Sequence, residues 1–174
     1  MAQSRLVRGI GHCQFIPEAQ LQGKEKIPMV IELRKATRDD LEEYNTWFSD
    51  KDMNYHLGPK WSDKEIDGIL RDRSGAVWSA MLENCLVAVV GLVYPDHTHD
   101  DHGITNLAVH PEWRRCGIGG KTLEALLRQY KTSKAQSWIA FVHMSNPNAR
   151  TFLEKHGWDK GDIENNMYRF TLLK

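Results

Sequence analysis

The chain has 174 residues, 41% of them hydrophobic, and a formal net charge of +0. That is enough apolar material for one sizeable core and falls outside the composition of disordered or fibrous chains. The charge balance gives the protein as a whole no pull towards nucleic acid or an anionic membrane, so a charged substrate must be recognised locally. The longest apolar stretch, Leu86 to Val93, is broken by Gly91 and too short to cross a bilayer. Cys13, Cys85 and Cys116 are far apart and form no C-x-x-C pair, which argues against a disulfide framework or a thiolate metal site and for a cytoplasmic location.

Residues 1–29 read as an N-terminal extension. They carry Arg5, Arg8, Lys24 and Lys26 but no apolar stretch of secretory-signal length. A transit-like segment, a cloning remnant and an arm exchanged between the subunits of a homodimer all fit, and no function is assigned. A single domain is expected over residues 30–174. Ile31 to Arg34 predicts a first strand. Thr37 with Asp40 resembles a capping box for a helix burying Leu41, Tyr44 and Phe48, and Ser62 with Glu65 predicts a second, with Ile66, Ile69 and Leu70 as its stripe. Gly58-Pro59 reads as the linker between the two. Ala76 to Leu82 and Leu86 to Tyr94 predict a hairpin turning at Glu83-Asn84, and the second run is apolar enough for a central strand.

After the polar loop Pro95 to His102, Ile104 to Val109 predicts a fourth strand. A glycine-rich turn then opens a helix with Leu123, Leu126, Leu127 and Tyr130 on one face. Trp138 to His143 predicts a fifth strand. Asn146-Pro147 begins a short helix that buries Ala149, Phe152 and Leu153 and ends at Gly157, and Tyr168 to Leu172 closes the sheet.

The turn Arg114-Arg115-Cys116-Gly117-Ile118-Gly119-Gly120-Lys121 places unpaired N–H groups, a helix dipole and three cations at one point, which suits a pyrophosphate. A solvated structural turn would have the same composition. Two nucleotide motifs fail on spacing. A P-loop needs glycine where Arg115 stands, and a dinucleotide fingerprint needs a third glycine where Thr122 stands.

Arg114-x-x-Gly117-x-Gly119, five residues after Val109, resembles the acyl-CoA signature of the GNAT superfamily. Asn146-x-x-Ala149 followed by Phe152 to Trp158 resembles that family's next helix and Gly-aromatic step. The resemblance implies an α/β fold: a mixed, mostly antiparallel sheet flanked by helices and splayed between its fourth and fifth strands. It implies an acetyl-CoA-dependent N-acetyltransferase working by direct transfer in a ternary complex. Leu107, Ala108 and Val109 would hydrogen-bond the pantetheine arm and polarise the carbonyl. The loop Arg114, Arg115, Cys116, Gly117, Ile118, Gly119, Gly120 and Lys121 would hold the pyrophosphate, with Asn146 and Ala149 on the far side. Asn146 also reads as an ordinary helix N-cap.

Leu153 stands where many members place a proton-donating tyrosine, so Tyr168, Ser145 or water would have to replace it. Gly103 stands where some have a glutamate, leaving His102 or Asp101 as candidate bases. The loop Asp96 to His102 is rich in metal-ligating side chains, but they lie in one run with no distant partner, so no metal is expected. An acidic rim attracting a cationic amine is the better reading, with Asp50, Asp52 and Asp63 contributing and Trp47, Trp61 or Trp78 forming a wall. Cys116 could be a thiol activated by the helix N-terminus, although an incidental small residue is the default. The expected acceptor is a small amine such as an aminoglycoside or polyamine. A peptide N-terminus, or a CoA-binding sensor without catalysis, is the alternative.

Overall fold

The computed structural model describes residues 5–9, 12–16 and 29–174. Arg5–Gly9 (β1) and His12–Ile16 (β2) form a two-stranded antiparallel sheet, and the rest of the N-terminal extension, on which the transit-like, cloning-remnant and exchanged-arm readings fall, lies outside the described residues. The remaining strands are Glu32–Lys35 (β3), Gly75–Leu82 (β4), Cys85–Val93 (β5), His102–Val109 (β6), Ser137–His143 (β7), Asp159–Glu164 (β8) and Met167–Leu173 (β9). They make one seven-stranded sheet in the order β3-β4-β5-β6-β7-β9-β8, antiparallel except for the β6–β7 pair.

Both sequence-predicted capping boxes form. Thr37 and Asp40 start Arg38–Thr46 (α1), and Ser62 and Glu65 start Asp63–Arg71 (α3), each box satisfying two N–H groups that a helix start leaves open. Phe48 is buried but lies in the 3-10 turn Trp47–Ser49, and Leu70 is exposed rather than part of a stripe. A further helix, Lys51–Leu57 (α2), fills the stretch before Gly58, with Asp50 as its cap. Ile118–Gln129 (α4) and Pro147–Lys155 (α5) complete the set.

β5 is buried along its length except at Val93, as its apolar run predicts for a central strand. Val90 and Leu92 join the core beneath α4 and α5 with Leu123, Leu126, Leu153, Trp138 and Phe170. Leu86 and Val89 join a second cluster with Tyr44, Trp47, Phe48 and Met53. The β4–β5 turn has both Glu83 and Asn84 at positive φ, the backbone a two-residue hairpin needs. The sheet ends at β8 rather than at β9, and β8 is exposed throughout. Among the described residues Cys116 is a free cysteine. Among the described residues no helix is long and apolar enough to cross a membrane.

Two features of β6 position the candidate site. Its register with β5 slips between Gly91 and Leu92, so that Thr105 is the extra residue of a bulge. Its parallel ladder with β7 runs only from His102↔Trp138 to Ile104↔Ala140, and beyond Ile104 the two strands part. The predicted splay between these strands is present.

Candidate active site

Leu107, Ala108 and Val109 lie on the splayed half of β6, where β7 no longer takes up the backbone groups directed towards it. The chain then turns through Pro111–Trp113 into the glycine loop. Trp113 and Ile118, on either side of the loop, are both buried in one cluster with Val87 and Ala88, which pins both ends. Between them Arg115 (φ +63°) and Gly117 (φ +80°) are left-handed, a backbone that helps converge successive N–H groups on one concavity. Helix α4 starts without a side-chain cap, and its first backbone bond is Lys121 N–H to Gly117 O at 3.1 Å. The N–H groups of Ile118, Gly119 and Gly120 therefore have no acceptor inside the helix, and the positive end of its dipole lies at the mouth of the splay.

The side of α4 at this point is shaped by α5. A Cβ on Gly119 would lie 3.3 Å from the Phe152 ring and 3.5 Å from Val109, and one on Gly120 would lie 2.6 Å from His156 Nε2. His156 cannot swing away freely. Its Nδ1 is 2.7 Å from Phe152 O, and its ring packs on that of Phe152 with centroids 4.4 Å apart. His156 had no signal in the sequence, because its role depends on a helix crossing. Gly120→Ala is expected to lower stability by about 1–3 kcal/mol through overpacking, measured by thermal melting. A second change, His156→Ala, should recover most of the loss; if it recovers none, the contact is not the cause.

Arg114 does not turn its guanidinium to the loop. It donates to Asp50 through both terminal nitrogens, Nη2 to Oδ1 at 2.9 Å and Nη1 to Oδ2 at 3.2 Å, and Asp52 lies 3.7 Å away. The hydrogen bonds from Arg114 hold the Asp50 carboxyl below its usual range. Of the acids expected to add to an acidic rim, Asp50 is thus paired within the protein, whereas Asp63 and Asp52 remain exposed. Asp96, exposed, accepts from Thr98 and His99 within its own turn, and the Thr98 hydroxyl first among these partners lowers its pKa to about 2. Among the described residues no cluster has the makings of a metal site. Cys116 is half-buried, and burial raises its thiol pKa, contrary to activation by the helix N-terminus.

The structure takes the candidate bases out of the splay. His102 begins β6 in the zipped part of the ladder. It is buried, with its ring against Tyr130 and Trp138 and its Nε2 2.8 Å from Ser133 Oγ. Burial, with a smaller push from Lys174, lowers its pKa. Tyr130 and Ser133 lie past the C-terminal end of α4, a helix of 12 residues whose length of about 18 Å separates them from the glycine loop. Asp101 accepts from Ser137 Oγ and lies 3.7 Å from Arg169. Tyr168 sits on β9, one strand beyond the splay, with Arg150 and Lys160 over its ring at 5.3 and 4.9 Å. Leu153 is buried in the core.

Asn146 caps α5 with its side-chain oxygen, which accepts from Ala149 N–H at 3.0 Å. Trp78 packs in the core beneath α4, away from the α1 side. Trp47 and Trp61 do stand on that side, both against Tyr44, and Trp61 is held by a two-way pairing with the Asn45 amide.

The acetyltransferase (GNAT) family model matches residues 34–158. Among curated proteins none matches the sequence. Among solved structures, the PaiA N-acetyltransferase from Thermoplasma acidophilum in complex with coenzyme A superposes with a TM-score of 0.65 at 17% identity, covering 84% of this chain and 100% of that one. Spermidine N-acetyltransferase from Vibrio cholerae, in complex with CoA and spermine, gives 0.69 at 16% identity over 82% and 95%. An aminoglycoside acetyltransferase in complex with coenzyme A gives 0.69 at 16% over 83% and 95%. At these identities the superpositions speak for the fold, while the family match spans most of the chain. The chain belongs to the acetyltransferase (GNAT) family.

Proposed function

We propose that the protein is an acetyl-CoA-dependent N-acetyltransferase that passes the acetyl group directly to a primary amine, with a small cationic amine as the acceptor class. The observation that carries this reading is the parting of β6 from β7 beyond Ile104 and Ala140, with the uncapped start of α4 at its mouth. In this reading the free N–H groups of the glycine loop receive the pyrophosphate, and Arg115 and Lys121 add positive charge. The backbone of Leu107 to Val109 hydrogen-bonds the pantetheine arm and polarises the thioester carbonyl as it gains charge. Asn146 and Ala149 flank the cofactor from α5.

The amine must attack in its neutral form. With His102 and Asp101 engaged elsewhere, water relays its proton, and a thiolate is a tolerable leaving group without a dedicated acid. The spermine-bound and aminoglycoside-modifying relatives support a small polycationic amine as the acceptor.

The test is calorimetric titration with acetyl-CoA, followed by thiol release over a panel of polyamines, aminoglycosides and peptide amines. Saturable binding with amine-dependent release is the expected result. The buried Leu153, where the family's tyrosine would stand, favours a second reading, a CoA-binding module without catalysis. Binding without release on any amine would favour that module, and no binding by folded protein would overturn both.

A further inference from the structure

The Asp50 carboxylate has two partners of different kinds. Its Oδ1 accepts the Met53 N–H at 3.0 Å, capping α2, and both its oxygens accept from Arg114, 64 residues away. The pair is partly sheltered, with side-chain exposures of 27% and 32%. A bidentate guanidinium–carboxylate contact fixes orientation as well as distance. Arg114 directly precedes Arg115, the first left-handed residue of the glycine loop. The ion pair is thus a strap between α2, on the face of the sheet opposite α4, and the start of the loop.

We propose that Asp50 is a positioning residue for cofactor binding: by holding the Arg114 guanidinium it sets the loop in the conformation that receives the pyrophosphate, and it makes the cofactor seat depend on α2. The inference rests on the proposed function, since it concerns the same loop. Its chemistry runs opposite to the role the family resemblance implies for Arg114. A guanidinium that contacts the pyrophosphate would be hindered by Asp50 and released by its removal. A guanidinium that acts through the strap would lose its purpose with Asp50.

The two substitutions that separate these cases leave the helix cap intact, because asparagine caps a helix as well as aspartate does. Affinity for coenzyme A is measured by calorimetry for wild type, Asp50→Asn, Arg114→Gln, the double variant and Asp50→Glu, with a thermal melt for each. Each single change is expected to weaken binding roughly five- to tenfold, and the double change no further, since both remove one interaction. Asp50→Glu, which keeps the charge, should recover part of the affinity. In turnover, KM for acetyl-CoA should rise while kcat holds. Asp50→Asn binding as tightly as wild type or more tightly, with Arg114→Gln weakened, would overturn the proposal and return Arg114 to the pyrophosphate. Wild type that melts cooperatively but does not bind coenzyme A would overturn the proposed function, and the strap with it.

Discussion

Gly117→Trp is expected to abolish coenzyme A binding, a loss of at least ~100-fold in calorimetric titration, while the protein still folds. The two halves of that expectation come from different observations. Gly117 has φ +80°, so any side chain there carries the strain of a left-handed backbone, about 1–2 kcal/mol. That is affordable within the roughly 5–15 kcal/mol of a typical domain. A Cβ at Gly117 would meet no protein atom within 4 Å, so the indole would enter open space beside the loop rather than the core. Loss of binding with a near-normal melting temperature places the anion at the loop. Retained affinity in the variant would show that coenzyme A, if bound, is held elsewhere.

Asp40→Ala should cost about 3–5 kcal/mol, enough to threaten the fold. Its carboxylate, buried between β3, α1 and β4, accepts from Arg34 at 2.5 and 2.6 Å, from Thr37 N–H at 2.7 Å, and from the Thr37 and Ser79 hydroxyls at 2.9 Å each. Arg34 is half exposed and screened, so most of the cost falls on the open Thr37 N–H and the buried Ser79 hydroxyl. Asp40→Asn, which keeps the shape and part of the bonding, should cost less. Burial alone would raise the Asp40 pKa, but the bonds from Arg34, Thr37 and Ser79 outweigh it and lower the folded value. The stability it supplies is therefore complete above the ordinary carboxylate range and is lost as the pH falls through that lowered value. Urea melts of wild type and Asp40→Ala should converge in acid; a constant gap between them would refute the assignment.

The elements legible in the sequence are those whose signal is local. Thr37 with Asp40 and Ser62 with Glu65 announce helix starts within four residues, and the Glu83-Asn84 turn sits between two apolar runs. Helix α2 escaped because only Met53 of its seven residues is buried, leaving no stripe to detect. Strand β8 escaped for the same reason in another form: every residue faces solvent, so nothing alternates. The glycine loop was visible because its chemistry lies within eight consecutive residues.

The side-chain assignments around the loop were harder to read. His102 follows a polar loop and reads as a candidate base, yet Tyr94 on one side and Tyr130, Ser133 and Trp138 on the other, which enclose it, come from stretches the sequence does not join to it. Asp50 reads as a free acid until the fold brings Arg114 to it. In both cases the partner was fixed by topology and not by neighbours in the chain.

The parting of β6 and β7 also gives the molecule an edge in the middle of its sheet. Outer edges are ordinarily protected from pairing with other chains by charge, brevity or cover, and β8 meets that need with its charged, fully exposed residues. The inner edge at Leu107 to Val109 has only its recessed position between α4 and α5. Whatever lies there must supply hydrogen-bonding groups at strand spacing, as an extended peptide does. An occupied cleft should accordingly slow amide exchange along this half of β6 and raise the melting temperature by mass action. Empty protein would be the more prone to capture stray extended segments and associate.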